Sequence, residues 1–167
     1  MTCSFRQCFR RENQMTLTRI DHLALAREYA ALPEWPVQPR FDPDERWYTR
    51  LAAGPDHEAW LLTWLPGQET ELHDHGGSEG AFLVVRGVLN EQTVVSSRDG
   101  LWLADRDYGS GVARRFGARH VHRIRNTGTV PAMSVHVYGP ALSTMNKYEI
   151  DNGRLTVTAT DVAGEAW

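Results

Sequence analysis

His73-Asp74-His75 and, downstream, His122-Arg123-Ile124-Arg125-Asn126 are the residues of this chain whose types and spacing are best suited to chemistry. Side chains on an extended segment alternate between two faces, so the histidines of a His-x-His pair point the same way. A third histidine from another strand completes one face of a metal's coordination shell. Neutral imidazoles suit Fe(II), Zn(II), Cu or Ni, and a shell that three ligands leave partly open can be catalytic. His120 and His122 share a face if their segment is extended, so either can supply the third ligand.

The elements that must position these residues read as β-strands. From Arg46 onward, short runs of β-branched, aromatic and leucine residues alternate with Gly, Asn and Asp. Candidate strands fall at 47–51, 59–65, 81–86, 88–97, 101–105, 111–115, 119–125, 132–138, 147–151 and 154–160. Arg98-Asp99-Gly100 and Asp151-Asn152-Gly153 mark turns, and the second suits a hairpin. Many short strands at this spacing predict an all-β sandwich, jelly roll or small barrel. Ahead of them, Leu17, Ile20, Leu23, Ala24, Ala26, Tyr29 and Ala30 have the spacing of an amphipathic helix that ends before Pro33. Pro33, Pro36, Pro39 and Pro43 make a turn-rich connector. The expected organisation is a disordered tail at 1–16, then a single domain over 17–167 with a helical preface at 17–45. Met15 stands as an alternative translation start.

Composition narrows the function classes. A formal net charge of -3 gives no global attraction for nucleic acid or an anionic membrane. Arg10-Arg11 and Arg114-Arg115 are short basic pairs that read as surface. The longest apolar run, Ala81 to Val85, is too short to span a bilayer. Both cysteines, Cys3 and Cys8, lie in the first eight residues, so no disulfide can brace the strands. The opening residues lack the apolar stretch of a secretory signal. A cytoplasmic, monomeric protein whose partners are small molecules is expected.

Gly67 stands six residues before His73, Gly87 twelve after His75, and Asn126 four after His122. This pairing resembles the two motifs of the cupin superfamily, small β-barrels that usually supply His, His and Glu from the first motif and His from the second. With six residues left between it and Gly87, Gly80 stands in the place of that glutamate, and Glu79 falls one residue out of step. A slip of one on a strand turns a side chain to the other face. The reading is therefore a three-histidine site, with Glu79 left open as an additional ligand. The spacing to Asn126 favours His122 over His120.

Ser134, His136 and Tyr138 lie at period two, and Val135 and Val137 face the other way. Three inward polar groups need partners, because buried polar groups without them are costly. A relay from serine to imidazole to phenol meets that need; the alternative is an exposed polar face. With Tyr48-Thr49-Arg50, Trp64 nine residues before His73, and Gly139-Pro140, these residues resemble the cysteine dioxygenase family of thiol dioxygenases over about 46–150. The resemblance implies a mononuclear non-haem Fe(II) held by His73, His75 and His122, which a small thiol chelates before reaction with O₂. It implies that Arg50 holds the substrate carboxylate, that Tyr48, Trp64 and Tyr138 lie nearby, and that Ser134, His136 and Tyr138 form the surrounding triad. Mammalian-type members carry, at the place of Gly80, a cysteine that crosslinks to the triad tyrosine. Gly80 cannot do this, so Tyr138 is expected to be an unmodified phenol. Relatives acting on 3-mercaptopropionate have glutamine where Arg50 stands, so Arg50 favours cysteine, as does Gly139-Pro140, whose bond is cis in the cysteine-specific branch. The expected reaction is conversion of L-cysteine and O₂ to cysteine sulfinate. Another small thiol, a non-catalytic metal-binding cupin, and a zinc isomerase or hydrolase on the same barrel are the competing readings.

Overall fold

The computed structural model describes residues 20–98 and 100–163. The expected tail, Cys3, Cys8, Met15, the first residues of the expected helix, and Asp99 in its turn lie outside them. Helix α1 spans His22–Ala30. Asp21 caps it, its carboxylate accepting from the backbone N–H of Leu23 (3.1 Å) and Ala24 (3.3 Å). That cap sets the start of the helix later than the apolar spacing predicts.

Eleven strands follow among the described residues: β1 (Tyr48–Ala53), β2 (Glu58–Trp64), β3 (Leu72–His73), β4 (Glu79–Arg86), β5 (Val88–Ser97), β6 (Gly100–Gly109), β7 (Ala113–Phe116), β8 (His122–Arg125), β9 (Ala132–Gly139), β10 (Thr144–Asp151) and β11 (Arg154–Val162). Ten of them overlap the ten expected strands. The eleventh, β3, escapes a pattern reading because it has only two residues. The strands form two antiparallel sheets, ordered β1-β2-β9-β4-β7 and β11-β10-β3-β8-β5-β6. The fold is all-β, the double-stranded β-helix of cupins. The β10–β11 hairpin turns through Asn152 (φ 48°) and Gly153 (φ 73°), the backbone an Asn-Gly hairpin turn requires.

Strand β9 is buried along its whole length because both of its faces are covered. One face meets the space between the sheets, with Trp64, Phe82, Val84, Leu89, Ile124 and Tyr138 in its core. The other carries Val135 and Val137 into a second core roofed by Ala26 of α1. An ion pair from Arg115 to Asp21 (2.6 Å) ties the helix to β7. Alternation on β9 therefore sends Ser134, His136 and Tyr138 inward and leaves no exposed polar face. The Gly139–Pro140 peptide bond is cis, as the resemblance implies. No helix among the described residues is long and apolar enough to cross a membrane.

Gly80 has a packing reason to be glycine. A Cβ there would run into the Val137 carbonyl oxygen and come within 2.6 Å of the Phe116 ring. Overpacking of this kind costs about 1–3 kcal/mol. Gly80→Ala is expected to lower the thermal midpoint, and Phe116→Leu in the same chain to recover part of the loss. Calorimetry of the single and double variants checks both effects.

Candidate metal centre

The metal-ligating geometry starts from strand register. His73 of β3 lies directly opposite His122 of β8, and on its other side opposite Lys147 of β10. β3 stops at His73, yet the alternation continues because Asp74 is pinned to β10. Its carboxylate accepts from the Asn146 backbone (3.1 Å) and Nδ2, from the Tyr148 hydroxyl (2.6 Å), and from the Gly76 N–H (3.0 Å). With Asp74 held outward, His75 turns inward beside His73. One nitrogen from each of His73, His75 and His122 lies within 4.8 Å of the others, and their ring centroids are 4.9–5.0 Å apart.

These atoms fit a divalent transition metal. His73 Nδ1 is hydrogen-bonded to the Glu71 carbonyl (2.8 Å) and His122 Nδ1 to Glu91 Oε1 (2.8 Å), which leaves the Nε2 atoms for the cluster. Both ring nitrogens of His75 are buried without a partner, an arrangement costly for imidazole unless something receives a lone pair. Burial, with the nearby His122, lowers His73 to about 3. Burial likewise holds His75 and His122 below the ordinary imidazole range. All three are neutral near pH 7, the state that binds metal. The residues that could hold a metal together here are His73, His75 and His122, the set the sequence reading names without Glu79. His120 does not lie in β8; a turn closed by its N–H to the Gly117 carbonyl (3.0 Å) sends its ring to Glu91 instead.

A cavity of about 400 Å³ opens onto the cluster and is lined by Arg46, Tyr48, Trp64, His73, His122 and Tyr138, among others. The inward row of β9 forms the relay that the sequence predicts. Trp64 Nε1–H donates to Ser134 Oγ (2.9 Å), Ser134 Oγ meets His136 Nε2 at 2.9 Å, and the Tyr138 hydroxyl meets His136 Nδ1 at 3.3 Å. An indole only donates, so Ser134 is free to give its own proton to Nε2. In the tautomer with the His136 proton on Nδ1, that proton faces the Tyr138 oxygen and the phenol proton is available to the cavity. Burial holds His136 well below its usual range and raises Tyr138, so neither is charged near pH 7.

Arg50 is placed differently from the expectation. It is exposed and is absent from the cavity lining, with its guanidinium 5.6 Å over the Trp60 ring. The arginine that lines the cavity is Arg46, 4.8 Å over Trp64 and 5.6 Å over Tyr48. Arg46 and Arg50 each lie two residues from Tyr48, but the cavity sits at the earlier of the two. Arg46 was legible as the other arginine at period two from Tyr48. Glu91 is the second residue the motifs do not reveal, because its signal is a contact across β5 and β8.

A family model described as cysteine dioxygenase type I matches residues 2–151. The chain belongs to the cysteine dioxygenase type I family. Among solved structures it resembles TT1209 of Thermus thermophilus (23% identity over 62% of this chain and 90% of that one, TM-score 0.50). It is also similar to a Klebsiella pneumoniae protein with a double-stranded β-helix domain (18%, 85% and 98%, 0.49) and to a cupin domain of an Enterobacter cloacae transcriptional regulator (16%, 56% and 94%, 0.47). For this member of the cysteine dioxygenase family, Gly80 lies opposite Tyr138 in the β4–β9 register. The space beyond Gly80 is filled by Phe116, whose ring stacks on His75 at 4.7 Å.

Two outcomes are expected. His122→Ala abolishes stoichiometric metal binding, whereas His120→Ala retains it; metal analysis after dialysis separates them. The metal-free protein also loses stability as pH falls. His73 titrates at about 3 when folded against 6.5 ordinarily, so below 6.5 the unfolded chain takes up protons that the folded one refuses. Its contribution is full above that pH and declines below it by up to about 1.4 kcal/mol per pH unit. Thermal melts at pH 7 and pH 5 test the sign.

Proposed function

We propose that this protein is an Fe(II)-dependent thiol dioxygenase that converts L-cysteine and O₂ to cysteine sulfinate, with His73, His75 and His122 holding the iron. One observation carries the reading. Three neutral imidazoles, a cavity-facing guanidinium and a phenol aimed by a buried relay bear on the same cavity. When bound, Fe(II) would bring thiol and O₂ into one shell and favour ionisation of the thiol, since three neutral ligands leave its charge undiminished.

The chain's own residues supply grip and orientation. Arg46 has no carboxylate partner among the described residues, although it keeps its charge despite burial, which lowers it from its usual value. A substrate carboxylate supplies the missing partner through the guanidinium fork. Tyr48 and Trp64 hold that fork between their rings. Tyr138 offers its free proton as a hydrogen bond to the substrate or to oxygen at the open side of the site. Addition of both oxygen atoms to sulfur gives the sulfinic acid.

A thiol acid without the amine, such as 3-mercaptopropionate, is the second reading. It is favoured by the absence from the cavity lining of Arg50, the residue on which the preference for cysteine rested. Oxygen uptake with L-cysteine, 3-mercaptopropionate and cysteamine decides between them. Cysteine is expected to give the highest kcat/KM, and cysteamine, with no carboxylate, the lowest. A preference for 3-mercaptopropionate would replace cysteine as substrate. Arg46→Gln is expected to raise KM for cysteine by more than tenfold, whereas Arg50→Gln leaves it within about twofold, a contrast of roughly 1.4 kcal/mol per decade. Tyr138→Phe is expected to slow turnover while retaining iron, and full activity would remove the phenol from the reaction.

A further inference from the structure

The outer partners of the three imidazoles are unequal, and the inequality centres on Glu91. His73 donates to a backbone carbonyl, and His75 has no partner on either nitrogen. His122 alone meets a carboxylate. Glu91 is 1% exposed and lies on β5, two residues before Thr93, which pairs with His122. Its Oε1 receives both His122 Nδ1 and His120 Nε2 at 2.8 Å. Its Oε2 receives the Tyr108 hydroxyl at 3.1 Å and Arg114 Nε. Four donors thus come from β6, β7, β8 and the turn before β8. Such saturation is what a buried carboxylate needs, because an incompletely paired one is costly.

An ionised carboxylate accepts and cannot donate. His122 must therefore carry its proton on Nδ1 and turn the Nε2 lone pair toward His73 and His75. Arg114, Tyr108 and His120 leave Glu91 no freedom to swing away. The His120 ring is itself braced against Phe116 at 5.5 Å, and Phe116 stacks on His75, so one packed row connects the carboxylate's support to a second ligand.

We propose that Glu91 is a positioning residue that fixes His122 and places, one imidazole out from the metal, the negative charge that the ligand set itself lacks. The proposal rests on the reading of the three histidines as a metal centre. It makes His122 the strongest of the three donors and His75 the weakest. It also gives His120 a function, as one of the anchors of the carboxylate and not as a ligand.

The test is a Co(II) titration of the metal-free full-length protein, read by visible absorption and by affinity, with circular dichroism as the control for folding. Binding by the wild type tests the metal centre. Glu91→Gln keeps an acceptor oxygen and removes the charge; it is expected to weaken Co(II) binding roughly 10–100-fold, the range usual for loss of an outer carboxylate, and to shift the absorption bands. Tyr108→Phe removes one anchor without the charge and is expected to weaken binding several-fold. If Glu91→Gln does not fold, Tyr108→Phe decides. Wild-type affinity and an unchanged spectrum in the folded variants would overturn the role of Glu91 while leaving the metal centre in place. A wild-type protein that takes up no Co(II) would overturn both.

Discussion

The constraint on which the structure turns is the burial of three imidazoles with converging lone pairs and no carboxylate among them. Burial keeps them neutral, and neutral nitrogens in a dry interior need something to receive their electron pairs. The second sheet is arranged around that requirement. β3 is only long enough to present His73, and it lies between β10, which pins Asp74, and β8, which presents His122. The side-chain bonds from Asn146 and Tyr148 to Asp74 hold the turn after it.

The first sheet answers with β9, the strand whose two faces serve different ends. Val135 and Val137 bury under α1, and that apolar anchorage fixes the opposite row of Ser134, His136 and Tyr138 against the cavity. The helix packs on the outer face of that sheet, yet it stabilises the face from which the phenol is aimed. The relay is stiff for the same reason: each member is buried, and Trp64 supplies its far end from the neighbouring strand β2.

Much of this was legible in the chain because it follows local periodicity. The His-x-His pair, the period-two row on β9 and the Asn-Gly hairpin all express alternation or turn chemistry within a few residues. What escaped depends on distance in sequence. β3 is too short for a pattern. Arg46, just before β1, and Arg50, within it, each lie two residues from Tyr48, and only the position of the cavity separates them. Spacing to Asn126 favours His122 over His120, but only the Gly117 turn shows that the His120 ring goes to Glu91 while His122 joins His73 and His75. Glu91 is 31 residues from His122, and no spacing rule connects them.

Glycine at position 80, in place of an acidic or thiol side chain, has consequences on both sides of the metal centre. Phe116 occupies the vacated volume and stacks on His75, which keeps that side of the cluster apolar. A ligating carboxylate is thereby absent from the wall where a glutamate would enter. The carboxylate that does contact the cluster lies behind His122, where Arg114 also engages it. The open side of the centre then faces Arg46 and the Tyr138 phenol, neither of which is negative near pH 7. Under the proposed function the anion in the shell is left to the substrate, and a thiolate with a carboxylate within reach of Arg46 meets both demands with one small molecule.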